Sequence, residues 1–525
     1  MIDNKDENKK AVKTVSLIII FTFFSKGLGL IRDMIMTPIY GGSAENSAIT
    51  VALDVPLNFF DILFGAAILG VFIPVYNAFN NKNEKEQKEA EEFANIFLNF
   101  AILATGLLVL LGIIFSKQIV NVVASGYDEP TKELTAYLLR IMLPIIVFTG
   151  AVYTVTGILQ SKGEFLAPAL VSSFSNIGVI IYLLFLNNYF GVYGFACAYL
   201  ISWIIQLLTL VVPLIRKKYK YKFKINFKNP AFIKSLKTAL PILAGSWLIP
   251  MSKQIANRFA SVCEDYNSVI AAFSKSWGLF LIITGILTYG ICNYIFPTLA
   301  QNANDNSEFA KIVKTGLSAS CFIIAPVACL AYVLRGEAVA LLYMRGNFTP
   351  DLARFAAKMF AMLAPCMIMF SAIEILNRVF YSKGLVKFPM IASLAGIAVN
   401  FILSWIFISK LNLEPIYITL AVFICQSVTA VILIFSLKIK IKEIFDKKFL
   451  ANIAKPVLSS GILLIIIKII YYIIKNNAFE SGLIKNILVA GIIVIAGACS
   501  YIGINLIFKT DEAQTFVKML KREKR

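Results

Sequence analysis

Apolar residues in this chain come in long blocks separated by short polar stretches, with none of the strict alternation that marks a half-buried strand. Fourteen blocks approach or exceed the roughly 20 residues that an α-helix needs to cross a bilayer. They run over about 14–39, 49–77, 92–115, 132–158, 166–187, 191–215, 238–263, 268–300, 311–334, 353–380, 388–409, 413–437, 452–474 and 483–508. Membrane barrels use strands of about 10 residues that alternate in polarity. The pattern therefore predicts an all-α polytopic membrane protein with about 14 transmembrane helices.

The polar stretches between blocks give a topology. The stretches after even-numbered blocks carry the Lys and Arg: NNKNEKEQKEAEE, QSKGEF, RKKYKYKFKINFKNP, YSKGLVK and KIKIKEIFDKK. Those on the other side, such as GGSAENS, LNNYFG, CEDYNS and LNLEP, hold almost no Lys or Arg. Cytoplasmic loops carry the cations, so both termini are predicted cytoplasmic. The polar start MIDNKDENKKAVKT lacks a small-residue cleavage site, and the first block reads as a retained span. RGEAVALLYMRGNFTPD reads as an interfacial helix ended by Gly346 and restarted near Asp351.

The chain also repeats itself. SKGEFLAP (Ser161–Pro168) returns as SKGLVKFP (Ser382–Pro389), and FIPVYNAFN with Pro74 returns as IFPTLAQNA with Pro297. Both pairs lie roughly 220 residues apart and in the same order, the signature of two pseudo-repeated six-helix lobes. The expected division is an N-lobe at 1–215, a basic linker at 216–237, a C-lobe at 238–440, and two further helices with a basic tail at 441–525.

Composition narrows the chemistry. The 525 residues are 58% hydrophobic and only 15% charged, with a net charge of +20. In a soluble protein that charge would suggest nucleic acid; here it flanks the blocks and sets orientation. There is no His, and eight Cys stand singly without a CxxC. Ser-His and Cys-His catalysis are excluded, no confident metal site emerges, and no enzyme is expected.

Charges inside apolar blocks are the informative exceptions, because an ion at membrane depth is costly and marks a substrate path by default. The first two blocks hold Lys26, Arg32, Asp33, Asp54 and Asp61. Counting 1.5 Å per residue from the turn near Ser43 puts Lys26 level with Asp61 and Arg32 level with Asp54. Ion pairs across that hairpin are expected. The second half adds Lys253, Arg258, Lys275, Glu374 and Arg378. Lys275 and Arg378 stand near helix ends, from which such side chains can snorkel. Lys26, Arg32, Lys253, Arg258 and Lys275 outnumber Asp33, Asp54 and Asp61. The excess suits an anionic substrate, phosphate in particular.

These residues resemble the MurJ/MviN family of lipid II flippases, within the multidrug/oligosaccharidyl-lipid/polysaccharide exporter superfamily. SKGLGLIRD is similar to that family's first-span S-R-x-L-G-x-x-R-D, and LLYMRGNFT to its L-L-F-E-R-G-x-F. FYSKGLVKFP is similar to F-Y-A-x-G-D-x-x-T-P. The resemblance covers about the first 440 residues and implies two lobes around a central cationic cavity, with the last two spans forming a groove for the lipid tail. It implies alternating access driven by the membrane potential, and sodium coupling in some members. The implied cargo is a lipid-linked anionic glycan, an undecaprenyl-pyrophosphate peptidoglycan precursor. The implied location is the bacterial cytoplasmic membrane, among membrane lipids, in a protein that works as a monomer and binds no nucleic acid. Departures are present. The family's first-span Arg is Lys26, its span-seven V-D-R reads Ala256-Asn257-Arg258, and its span-eleven Asn and Asp read Asn400 and Ser404. Asn257, Asn400 and Ser404 would form only a degenerate sodium site, so a monovalent coupling ion is expected to matter little. The alternatives are a flippase for another polyprenyl-linked or spore-wall precursor, a cation-coupled multidrug exporter, and a membrane scaffold. A scaffold needs no intramembrane charge.

Overall fold

The computed structural model describes residues 21, 24–60, 64–65, 68–79, 84–441, 444–474 and 477–514. All regular structure among them is helical. Among the described residues nine helices are long and apolar enough to cross a membrane, or up to eleven when each bent pair is taken as one span. The helical bonding of one of the nine, 166–216, conceals a fold-back. Gly191 sits at φ 52° and ψ −146°, where a side chain would be strained, and divides residues 166–190 from 192–216. The two segments then pack along each other, with Gly178 against Ser202. That helix therefore supplies two of the predicted spans. The first two predicted spans lie partly outside the described residues. A total of fourteen is compatible with the helices seen.

The chain forms two compact units, Met1–Pro250 and Met251–Arg525. In the first, the helix over 24–40 turns at Gly41, which holds φ 46°. Ser43 caps the next helix, Ala44–Leu53, by accepting the Asn46 N–H. At Asp54–Phe59 the winding loosens to π geometry around Pro56, whose missing N–H breaks the regular ladder. Glu84–Ile114 and Ile145–Ser161 pack together, and Phe72, Tyr76, Phe93 and Ile158 fill the space between them and the preceding segment. The basic linker is not a free tether. The Tyr219 hydroxyl donates to Asn95 at 2.9 Å and that of Tyr221 to Asn99 at 2.7 Å, laying it along Glu84–Ile114.

In the second unit Asp265 and Asp305 cap Tyr266–Gln301 and Asn306–Val333. The helix Arg335–Tyr343 follows, then Gly346 at φ 53° and a restart at Pro350–Leu363, as the sequence pattern anticipates, although Gly336, Glu337, Val339, Ala340 and Tyr343 are buried and the helix shows no separate apolar and polar faces. Pro365 bends the chain by 47° into Cys366–Ser382. The last two helices, Lys447–Ile474 and Leu483–Ile507, pack on Asn306–Val333 through Leu463, Ile467, Val489 and Ile493.

The internal repeat is visible in the backbone. Glu129–Met142 and Ile145–Ser161 match Pro350–Leu363 and Cys366–Ser382 boundary for boundary, each pair separated by a proline break. The SKG motifs then close both in the same way. Gly163 at φ 73° lets the Glu164 N–H reach the Leu159 carbonyl, and Gly384 at φ 69° lets that of Leu385 reach Phe380, both at 2.8 Å. This is a Schellman cap, in which glycine adopts the left-handed conformation without steric cost. Each unit continues into a helix that ends in a π segment, Tyr182–Leu186 in one and Trp405–Lys410 in the other.

Candidate functional site

The charged motif of the first helix forms the centre of a polar cluster inside the first unit. Arg32 extends its guanidinium back to its neighbour, with Nη2 2.8 Å and Nε 3.1 Å from the same Asp33 oxygen. Nη1 donates to Oδ1 of Asn176, on Leu166–Ile181, at 3.0 Å, and the guanidinium lies 5.5 Å from the centre of the buried Tyr199 ring. Asn176 in turn donates to the Ser25 carbonyl, and the Ser25 hydroxyl pairs with that of Ser173. The cluster thus links the first helix to the Leu166–Ile181 and Asn187–Arg216 helices by directional bonds. The Arg32 and Asp33 side chains remain 22% and 32% exposed. A guanidinium held by one carboxylate and one amide, and open on its remaining side, can accept a further oxyanion.

The expected cross-hairpin pairing is not what organises this cluster. Arg32 pairs with its sequence neighbour, although successive helical residues point about 100° apart, because the long side chain curls back. Asp54 is buried in its π turn. Lys26 is exposed and pairs with no acid among the described residues. Asp61, its expected partner, lies outside them. Sequence reasoning missed Asn176, Tyr199, Ser25 and Ser173. The run Ser172, Ser173, Ser175, Asn176 inside an apolar block was the available signal, since buried polar groups require partners.

In the second unit Lys253 and Lys275 are both buried at 8% exposure, so Lys275 does not snorkel. Its ammonium stands 5.5 Å from the centre of the Tyr343 ring, on the Arg335–Tyr343 helix. Arg378 and Glu374 form an i,i+4 pair at 2.8 Å on Cys366–Ser382, with Arg378 over the Tyr289 ring. Arg258 is half-buried beside Phe259. Asn257, Asn400 and Ser404 are each fully buried, and the Ser404 hydroxyl donates to Asn400 Oδ1 at 3.3 Å. Those three side chains are neutral, and one amide oxygen is already engaged. The donor set does not fit a tightly held sodium ion, which gains most from a carboxylate. No group of three or more acidic or thiol side chains that could hold a metal occurs among the described residues.

Comparison with known proteins bears on this geometry. The family model described as "Lipid II flippase MurJ" matches residues 36–490. A "Probable lipid II flippase MurJ" of Thermotoga maritima is 27% identical over 451 residues, covering 85% of this chain and 88% of its own length. One of Buchnera aphidicola from Schizaphis graminum is 28% identical over 390 residues, covering 72% and 74%. Among solved structures, "Lipid II flippase MurJ, inward closed conformation" superposes with a TM-score of 0.78 at 24% identity, covering 95% of this chain and 99% of that one. An inward-facing multidrug resistance MATE transporter of the MOP superfamily reaches 0.65 at 16% identity, covering 81% and 98%. At such identities the superpositions speak for fold alone. The family pattern extends from the first described helix into the last, and on that match the chain belongs to the MurJ family of lipid II flippases.

Proposed function

We propose that the protein flips lipid II across the bacterial cytoplasmic membrane by alternating access, and that Arg32 contacts the pyrophosphate of the cargo. One observation carries the assignment of the contact. Arg32 is a guanidinium inside an apolar helix, oriented by Asp33 and Asn176 yet still partly open. Bidentate donors of this kind suit phosphate oxygens. Asp33 and Asn176 orient it, Lys26 supplies a second, exposed cation on the same helix, and Lys253 and Lys275 serve the second unit. With both termini cytoplasmic, the cargo leaves an inside-negative compartment. Each negative charge it carries then gains about 2.3 kcal/mol per 100 mV from the potential. Chemical turnover is not part of this reading, and one copy of the chain suffices for it.

The test is complementation in cells depleted of their own lipid II flippase. Arg32→Ala is expected to abolish growth while the protein reaches the membrane at normal levels. Full rescue by that variant refutes the assignment.

A further inference from the structure

The second unit contains a groove that the transport reading does not use. It measures about 520 Å³ and is lined by Arg258, Phe259, Val262, Phe401, Trp405 and Ser409. Two helices build it. Leu248–Ala260 supplies Arg258 two residues before its end, and Lys387–Ser404 with its π continuation Trp405–Lys410 supplies the aromatic wall. Asn257, Asn400 and Ser404, the sequence neighbours of Arg258, Phe401 and Trp405, are fully buried on the same helices. The groove residues instead lie toward the outside. Phe401 is 50% exposed, Trp405 44% and Val262 43%. Ile391 and Leu394 continue the exposed apolar stripe along the same helix, which in a membrane-spanning helix is the face turned to lipid.

An arginine is out of place on such a surface without an anion. Arg258 Nη1 is buried and has no hydrogen-bond partner among the described residues, and no carboxylate lines the groove. The Ser409 hydroxyl stands in the same lining, and Lys410 lies over the Trp405 ring at 5.1 Å, next to the rim. A guanidinium nitrogen buried without a partner is costly, and a phosphate oxygen is the ligand that a guanidinium and a hydroxyl together recognise. The aromatic wall open to the bilayer fits an acyl chain. Basic pockets between transmembrane helices on the cytoplasmic side hold anionic lipid head groups, and the same match of guanidinium to phosphate serves at the opposite face.

We propose that this groove binds a resident anionic phospholipid of the membrane. Its phosphate sits on Arg258 and Ser409, and one acyl chain runs along Phe401 and Trp405. The helix ends place the head group at the face bearing the lysine-poor loops after Ala260 and Lys410, which the positive-inside pattern assigns to the outer leaflet. The site is separate from the Arg32 cluster and stands whether or not Arg32 contacts cargo.

The experiment is lipid titration of delipidated full-length protein, followed by native mass spectrometry. The probes are phosphatidylglycerol, diacylglycerol of the same chains, and undecaprenyl pyrophosphate. The proteins are wild type, Arg258→Gln, Arg258→Lys, and Val262→Trp, which fills the groove from its exposed rim and leaves the arginine in place. Wild type is expected to hold one phosphatidylglycerol about tenfold more tightly than Arg258→Gln, the loss typical of one charge-assisted hydrogen bond. Arg258→Lys should fall between them, Val262→Trp should match the glutamine variant, and diacylglycerol should not distinguish the four. If Arg258→Gln fails to fold, Val262→Trp alone decides. Equal phosphatidylglycerol affinity in wild type and Val262→Trp overturns the proposal. Selective retention of undecaprenyl pyrophosphate, lost in the same variants, overturns it too, by making the groove part of the cargo path.

Discussion

The contact between Arg32 and Asn176 joins helices that are 144 residues apart in sequence, and its strength can be measured. Asn176→Ala removes one charge-assisted hydrogen bond, worth about 1.5–3 kcal/mol in a buried setting. Two facts reduce that figure. The Arg32 side chain is 22% exposed, and its Asp33 contacts survive the substitution. Hydrogen bonds between membrane helices also average only about 0.6 kcal/mol in double-mutant cycles, with a maximum near 1.7, because the unfolded chain finds other partners in the membrane. A coupling of about 0.6–1.7 kcal/mol is therefore expected between Arg32→Gln and Asn176→Ala. The single asparagine variant should lose more than the coupling, since it also gives up the bond to the Ser25 carbonyl and leaves space beside Gly29. The assay is equilibrium unfolding of the four proteins of the cycle in mixed micelles. Additive losses, with coupling below about 0.3 kcal/mol, would mean that the two side chains do not meet in the folded protein.

Four further outcomes are expected. A Cβ at Gly157 would lie 2.8 Å from Phe72 and 2.9 Å from Ile68, both buried, so Gly157→Ala should destabilise by about 1–3 kcal/mol in the same unfolding assay. Gly106→Ala, with nothing within 4 Å, should be neutral or stabilising by up to about 1 kcal/mol. Asp446, in the loop before Lys447–Ile474, has its pKa held below the aspartate value of 3.8, first by the bond from Lys314 and then by the Phe449 N–H. Its contribution to stability is whole above that value and fades as the pH falls through the lower native one, so Asp446→Asn should flatten the acid limb of a stability profile; an unchanged limb refutes this. Transport in vesicles should persist when choline replaces sodium at fixed potential, because Asn257, Asn400 and Ser404 offer no carboxylate; a steep sodium requirement would show that the ion binds elsewhere.

What the sequence made legible was mostly local. The SKG motifs were legible as a repeat, and the left-handed cap that each forms explains why glycine recurs there, as it does at the expected break at Gly346. The helical class followed from block length alone. The partners of Arg32 were not legible. Helical rise gives depth but not rotation about the axis, so it could bring Arg32 level with Asp54 without saying which helix faces which. Asn176 and Tyr199 reach the guanidinium only because the chain folds back at Gly191, a turn that the sequence marks with one glycine among apolar residues. Lys275 was misjudged for a related reason. Its nearness to a helix end implied exposure, but the Arg335–Tyr343 helix brings Tyr343 over it.

The repeat separates what geometry requires from what chemistry requires. Lys162 and Lys383 hold the same position in the two SKG turns, and each ties its turn to the start of a long helix. Lys162 does so through Glu91 at 3.0 Å and the Tyr219 ring. Lys383 uses Asn306 at 2.9 Å, the Ala303 carbonyl and the Phe309 ring. The partners differ although the tether is the same, as expected when only the position of the turn matters. The polar interiors are not interchangeable in this way. The first unit keeps a charged pair at Arg32 and Asp33 on one helix, and the second buries Lys253 and Lys275, pairs Arg378 with Glu374, and holds a neutral set at Asn257, Asn400 and Ser404. A scaffold requirement would have placed similar groups in both halves, because both halves present the same backbone. Charge is kept at depth in both halves but at different positions and with different partners, a cost that the shared backbone does not explain. The first hairpin is where the anionic cargo is expected to be felt first, because Arg32 is a guanidinium fixed by Asp33 and Asn176 and still partly open to a further oxyanion.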